Sequence, residues 1–116
     1  RYLDDELMPI FIEHEFNHVL QYGIDGVEAT SFVWESTAEA MEELSLPDAN
    51  AYWQDVPDFQ ELPFASLLFD GYSSEVEEYN SYSLYEYGGS IAGLYLEQAY
   101  GSNDGTTLLQ LWLDRA

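Results

Sequence analysis

The sequence predicts an all-α fold, and three observations carry that expectation. Apolar residues recur at three- and four-residue spacing along several stretches, glycine and proline mark the gaps between those stretches, and no segment alternates apolar with polar residues as a half-buried strand does. At 116 residues, 47% of them hydrophobic and 16% aromatic, the chain has enough apolar surface for the core of one small domain. Residues 3–22 read as a first helix, with Leu3, Leu7, Ile10 and Phe11 on one side and Ile12, Phe16, Val19 and Leu20 on the other. A helix apolar on two sides is expected to be central and buried. Pro9 suits a first turn better than an interior, so the regular helix is expected to begin near it, with Met8 as its boundary. The turn chemistry of Tyr22–Gly26 stops it.

Ser31 or Thr30 can cap a second helix that runs to about Leu46 and ends before Pro47. Residues 47–69 are divided by Pro57 and Pro63 into short helical pieces or aromatic-rich loop, and residues 70–81 are acidic and read as exposed. A third long helix is expected from about Tyr82 to Tyr100, closed by Gly101. Asn103 or Asp104 then caps a last amphipathic helix carrying Leu108, Leu109, Leu111, Trp112 and Leu113. The stretch 101–107 offers too few acidic ligands for a calcium cage and reads as a turn. There is no internal repeat.

Charge narrows the partners. The chain has 23 acidic residues against 2 basic ones, a formal net charge of −21. A field of that sign repels phosphate, which excludes nucleic acid and anionic membranes as natural partners. It attracts metal ions and basic peptide segments, over a reach of about 8 Å at physiological salt. Such acidity fits either high salt or secretion. The absence of cysteine removes disulfide and thiolate chemistry. No apolar run approaches the roughly 18 residues that span a bilayer, so no membrane insertion is expected of this segment. Because Arg1 is not a start methionine, the chain reads as a segment of a longer protein, and nothing in it requires oligomerisation beyond a monomer.

The chemistry concentrates in one pentapeptide. The only two histidines stand in His14-Glu15-Phe16-Asn17-His18. Four residues apart on a helix, the imidazoles are about 40° apart around the axis and one turn apart along it, so both can bind a single metal ion. Glu15 lies on their flank, within reach of a metal-bound water. Zinc suits imidazole and carboxylate ligands, and three protein ligands plus water make a catalytic site. The metal lowers the water's pKa to about 7, and the glutamate takes its proton as attack begins. With no histidine left, a third ligand must be a carboxylate. Glu35 and Glu39, four apart on the second helix, offer one ligand and one acceptor for a ligand histidine's other nitrogen. The same residues also read as solvated surface, because Glu35, Glu39, Glu42 and Glu43 form an acidic stripe opposite Val33, Ala40, Met41 and Leu44.

The stretch His14–Tyr22, followed after a turn by Trp34-Glu35-Ser36-Thr37-Ala38-Glu39, resembles the gluzincin branch of zinc metallopeptidases, which includes thermolysin, aminopeptidase N and the bacterial collagenases. The nearest likeness is to a group of secreted metalloproteases of myxobacteria and related bacteria, and it extends through Tyr85–Gly101 to the final residues. The resemblance implies that His14, His18 and Glu35 bind one zinc ion, that Glu15 is the general base, and that Glu39 supports a ligand histidine. It implies a protein or peptide substrate and an extracellular or cell-surface location. It also implies that Tyr87 or Tyr85 hydrogen-bonds the developing oxyanion, although packing is the commoner role of tyrosine. The small residues Gly88, Gly89, Ala92 and Gly93 are expected to let that helix approach the metal-bearing one. Ser36 stands where the family has glycine, and the loop between His18 and Glu35 is shorter than in thermolysin-like enzymes, so Asp25 and Glu28 are alternative ligands. The β-sheet that precedes the zinc helix in gluzincins has no counterpart in the 13 residues before His14. Two further functions fit the residues: a non-catalytic acidic helical module with a structural or degenerate metal site, and a zinc hydrolase of non-peptide substrates.

Overall fold

The computed structural model describes residues 7–27, 31–67 and 84–114. Six α-helices and one 3₁₀ turn follow in order: α1 (Met8–Ile24), α2 (Ser31–Ser45), the 3₁₀ turn Ala51–Gln54, α3 (Val56–Gln60), α4 (Tyr85–Gly88), α5 (Ser90–Tyr100) and α6 (Thr106–Leu113). No strand occurs among the described residues, so the fold is all-α, as the apolar spacing predicts. Met8 and Pro9 open α1, where proline's missing N–H costs no helical bond. The N-cap of α6 is Gly105 and not the expected Asn103 or Asp104, although Asp104 Oδ1, just ahead of it, accepts bonds from the Thr106 backbone N–H (3.1 Å) and hydroxyl (2.6 Å). The expected cap Thr30, the acidic stretch 70–81 and the residues expected to open the third helix lie outside the described residues.

Two expectations change. The third helix is not one rod: α4 and α5 meet at Gly89. The central helix is α2, which packs against α1, α4 and α5. Small side chains allow this, for Ala38 and Ala40 are fully buried, and a Cβ added to Gly93 of α5 would stand 3.1 Å from that of Ala40. The glycines expected to face the metal-bearing helix therefore serve other neighbours. Gly93 meets Ala40 and Leu108, Gly89 meets the Phe32 ring, and Gly88 meets the Asp55 backbone and Phe59. Phe32, Leu62 and Tyr85 form a buried cluster with Phe59 against it, the Phe59 and Tyr85 rings being 5.0 Å apart. On the other flank Leu108 and Trp112 of α6 are buried, and the buried Glu97 of α5 accepts the Leu108 N–H at 2.9 Å, holding the first turn of α6.

The expectation that α1 is buried through its apolar sides fails. Its buried residues are His14, Asn17 and Gln21, while Phe16 and Val19 are 55% and 65% exposed. Phe11, Ile12, Leu20 and Tyr22 are exposed as well. The helix turns its polar side inward because that side finds hydrogen-bond partners on α2, which apolar residues cannot use. Among its fully exposed residues from Met8 to Gly23, Glu15 is the only charged one, Glu13 being half-buried.

Two glycines test this packing. Gly88→Ala drives a methyl into the Asp55 carbonyl and Phe59 and should cost about 1–3 kcal/mol in urea unfolding. Gly23→Ala, with nothing within 4 Å of the new Cβ, should stabilise α1 by about 0.5–1 kcal/mol. Equal responses at the two sites would contradict the close approach at Gly88.

Candidate metal centre

One turn of α1 stacks His14 above His18, and α2 delivers Glu35 to the same point. His14 Nε2 lies 3.0 Å from His18 Nε2 and 3.1 Å from Glu35 Oε2, and His18 Nε2 is 3.3 Å from that same carboxylate oxygen. Three donor atoms thus form a nearly equilateral triangle. Ligands at about 2.0–2.1 Å from a tetrahedral ion are separated by roughly 3.3 Å, so the triangle fits the base of such a site. The buried histidine and carboxylate groups can hold a metal ion.

Each histidine is fixed through its other nitrogen. His18 Nδ1–H donates to Gln21 Oε1 at 2.7 Å. Gln21, only 2% exposed, passes the constraint on, donating to Thr37 Oγ1 at 2.8 Å and to the Trp34 carbonyl at 3.1 Å. Thr37 in turn donates to the Val33 carbonyl and accepts the Trp112 indole N–H. His14 Nδ1–H donates to Glu42. Both rings therefore present Nε2 to the same point, the tautomer that metal binding requires.

Glu42 makes the contact that the sequence assigns to Glu39, whose Oε2 is 3.8 Å from His14 Nδ1 and outside hydrogen-bond reach. Glu39 and Glu42 are both 5% exposed. The acidic stripe of α2 is thus divided, with these two glutamates inside and Glu35 and Glu43 half-buried. The physical reason is the centrality of α2, which leaves it no broad solvent face. Gln21 and Glu42 are the residues that sequence reasoning missed. Gln21 follows His18 by three residues, on its own helical face, and that spacing was the available signal.

The neighbouring charges shift the titrations. Burial alone would lower the pKa of His14, but hydrogen bonds to Glu35 and Glu42, reinforced by their charges, hold it at about 10 in the metal-free protein. His18 is raised chiefly by its hydrogen bond to Glu35, against the opposing effect of burial. Burial pushes Glu35 up, yet the two histidines outweigh it and bring the carboxyl down to about 2. Glu39 moves the other way, to about 8, through burial and the charges of Glu42 and Asp55.

A cleft of about 530 Å³ opens beside His14 and is lined also by Glu15, Glu39, Asp55 and Tyr87. Glu15 is exposed. The Tyr87 ring stacks on His14 at 5.9 Å, whereas Tyr85 is 1% exposed in the Phe32 cluster and donates its hydroxyl to the Ser66 carbonyl at 3.3 Å. Only Tyr87 of the two thus belongs to the site. Asp25 accepts the Val27 N–H in its own turn at 3.1 Å and is not among the converging ligand groups. Glu28 lies outside the described residues. No protein-family description, curated protein or solved structure matches the chain.

Two measurements follow from this geometry. A metal ion must displace the proton of His14, so its affinity should rise with pH toward about 10. Calorimetry at pH 7 in two buffers of different ionisation heat should show net proton release on binding. In the metal-free protein the His14 pairing stabilises the fold fully below its ordinary pKa of 6.5 and is lost as pH rises through about 10. Separately, Glu42→Gln and Gln21→Leu should each weaken metal binding by about 10–100-fold in competition with a chelating dye. Glu39→Gln, which removes no hydrogen bond from either ring, should weaken it less.

Proposed function

We propose that this chain is the helical, metal-bearing part of a gluzincin-type zinc metallopeptidase and hydrolyses peptide bonds. The observation that supports this best is the convergence of His14 Nε2, His18 Nε2 and Glu35 Oε2 at the edge of a cleft that also holds Glu15. When bound, zinc supplies Lewis acidity, activating water and polarising a carbonyl. The chain's residues do the rest. Glu42 and Gln21 hold the two imidazoles in one tautomer and one orientation. Glu15 accepts the proton of the attacking water and delivers it to the departing amine, so that no charge is stranded at either step. Tyr87, which shares the cleft, is the candidate hydrogen-bond donor to the oxyanion.

The motif pairing of His14–His18 with Glu35 four residues before Glu39 supports the gluzincin branch in particular. Ser36, in the place of the family's glycine, is buried at 5% exposure beside the ligand. Its small side chain is consistent with the close packing that glycine would provide. The same resemblance supports a protein or peptide substrate and an extracellular or cell-surface setting. An apolar wall at the cleft mouth, formed by Leu7, Phe11 and Leu84, favours a polypeptide substrate over a small polar one.

The test is zinc content and turnover of an unfolded protein substrate, measured on wild type, Glu15→Gln and Glu35→Ala. Glu15→Gln should keep stoichiometric zinc and lose at least about 10²-fold in turnover, while Glu35→Ala should lose both. Undiminished turnover in Glu15→Gln would end its assignment as the base. A wild-type protein that binds zinc tightly yet cleaves nothing would favour a structural metal site.

A further inference from the structure

A second groove, sharing no residue with the cleft beside His14, opens between α1, α2 and α6. Its volume is about 200 Å³, and its walls are Leu20 and Ile24 of α1, Met41 of α2, and Leu108, Leu109 and Trp112 of α6. Leu108 and Trp112 are buried, whereas Leu20 and Leu109 are 52% and 48% exposed at the mouth. Into this apolar lining comes one carboxamide, that of Asn17, which is only 8% exposed. Its side chain makes no hydrogen bond among the described residues. A buried amide without partners is costly, and the polar neighbours in the groove are already committed. Gln21 bonds to His18, to the Trp34 carbonyl and to Thr37, and Thr37 bonds to the Val33 carbonyl and to Trp112. His14 and Gln21 thus find their partners within the fold, and Asn17 beside them does not.

We propose that this groove docks a segment of a partner polypeptide carrying one branched apolar side chain between basic residues. The side chain fills the pocket, and a backbone amide pairs with the Asn17 carboxamide. Three observations fix that chemistry. A cavity of about 150 Å³ holds benzene, so about 200 Å³ suits one leucine-sized group and falls short of the roughly 300 Å³ at which small-molecule sites begin. A carboxamide offers a donor and an acceptor side by side, which matches the acceptor and donor of a peptide group. The charge of the flanks follows from the surroundings. Asp104 stands exposed at the rim, the described residues include no lysine or arginine, and the whole chain carries −21. The groove is also continuous with a larger apolar surface. Leu20 follows Phe16 by one helical turn and so joins the pocket to the outward stripe of α1, giving the rest of the segment somewhere to lie. The proposal does not depend on the peptidase reading.

The experiment is titration of the isotopically labelled full chain with blocked peptides, read by chemical-shift changes in α1 and α6. Gly-Lys-Leu-Lys-Gly should shift the groove residues and bind about 10-fold or more tightly than its twin with alanine at the centre. Asn17→Leu, which is nearly isosteric, should weaken the leucine peptide about 3–10-fold. Its resistance to urea should be unchanged or raised, since no bond is lost from the free protein. Leu109→Asn, at an exposed position, should weaken the peptide by a similar factor. A marked loss of stability in Asn17→Leu would mean that the amide is bonded within the free fold, and would overturn the proposal. Leucine-peptide binding that survives both variants would overturn it too, as would equal affinity for the leucine and alanine peptides. Equally tight binding of Gly-Glu-Leu-Glu-Gly would overturn the basic class of partner. N-isobutylacetamide, which has the branched group and the amide alone, tests for a small molecule, and affinity equal to the peptide's would overturn the polypeptide. Sedimentation equilibrium tests for a second copy of the chain. A dimer that Leu109→Asn abolishes would overturn the proposal in favour of self-association.

Discussion

The structure depends on the inward polar face of α1 being bonded to α2 through His14 and Gln21. A buried donor or acceptor left without a partner costs about 1–3 kcal/mol, and α1 carries His14, Asn17 and Gln21 inward together. Gln21 shows how the cost is avoided: its carbonyl oxygen accepts from His18, and its amide nitrogen donates to Thr37 and to the Trp34 carbonyl. Thr37 then joins α2 to Trp112 of α6. One chain of hydrogen bonds therefore runs from His18 to the last helix. The packing of α6 and the orientation of His18 are set by the same side chains.

This constraint also explains why α2 occupies the centre. To answer α1 it presents Glu35, Thr37 and Glu42, and to admit α5 it presents Ala40 toward Gly93. A helix with obligations on several sides keeps little solvent face, and acidic residues that look like surface end up inside. The cluster of Glu39, Glu42 and Asp55 is the result. Much of the electrostatic character of the site comes from residues drawn in by packing, not from the net charge of the whole molecule.

The sequence made the helices legible wherever glycine or proline punctuates them. Met8, Pro9 and Gly101 stand at observed helix ends, and α6 starts within two residues of Asp104, with Gly105 as its cap. The pentapeptide starting at His14 and the partner Glu35 were also legible, because their spacing is chemical and local. The burial of α1 was not. Periodicity locates the apolar side of a helix but takes for granted that this side faces inward, and at a polar site the relation reverses. Glu42 could not be told from Glu39 for a related reason: one turn of helix separates their neighbourhoods, and the choice belongs to the angle at which α1 crosses α2. The break at Gly89 likewise lies where the Phe32 ring leaves no room for a Cβ, a closeness between residues distant in sequence.

The outward stripe of α1 has a colloidal consequence. Phe11, Ile12, Phe16, Val19 and Leu20 face water on a chain of net charge −21. Two such chains meeting through their stripes would hide apolar surface and would also bring like charges together. The range of that repulsion is set by the solvent, about 30 Å at 0.01 M salt and about 3 Å at 1 M. Dispersion of the protein is thus governed by ionic strength and acidity more than by the polarity of its surface. Brine or acid, which silences the carboxylates, leaves the stripe free to stick.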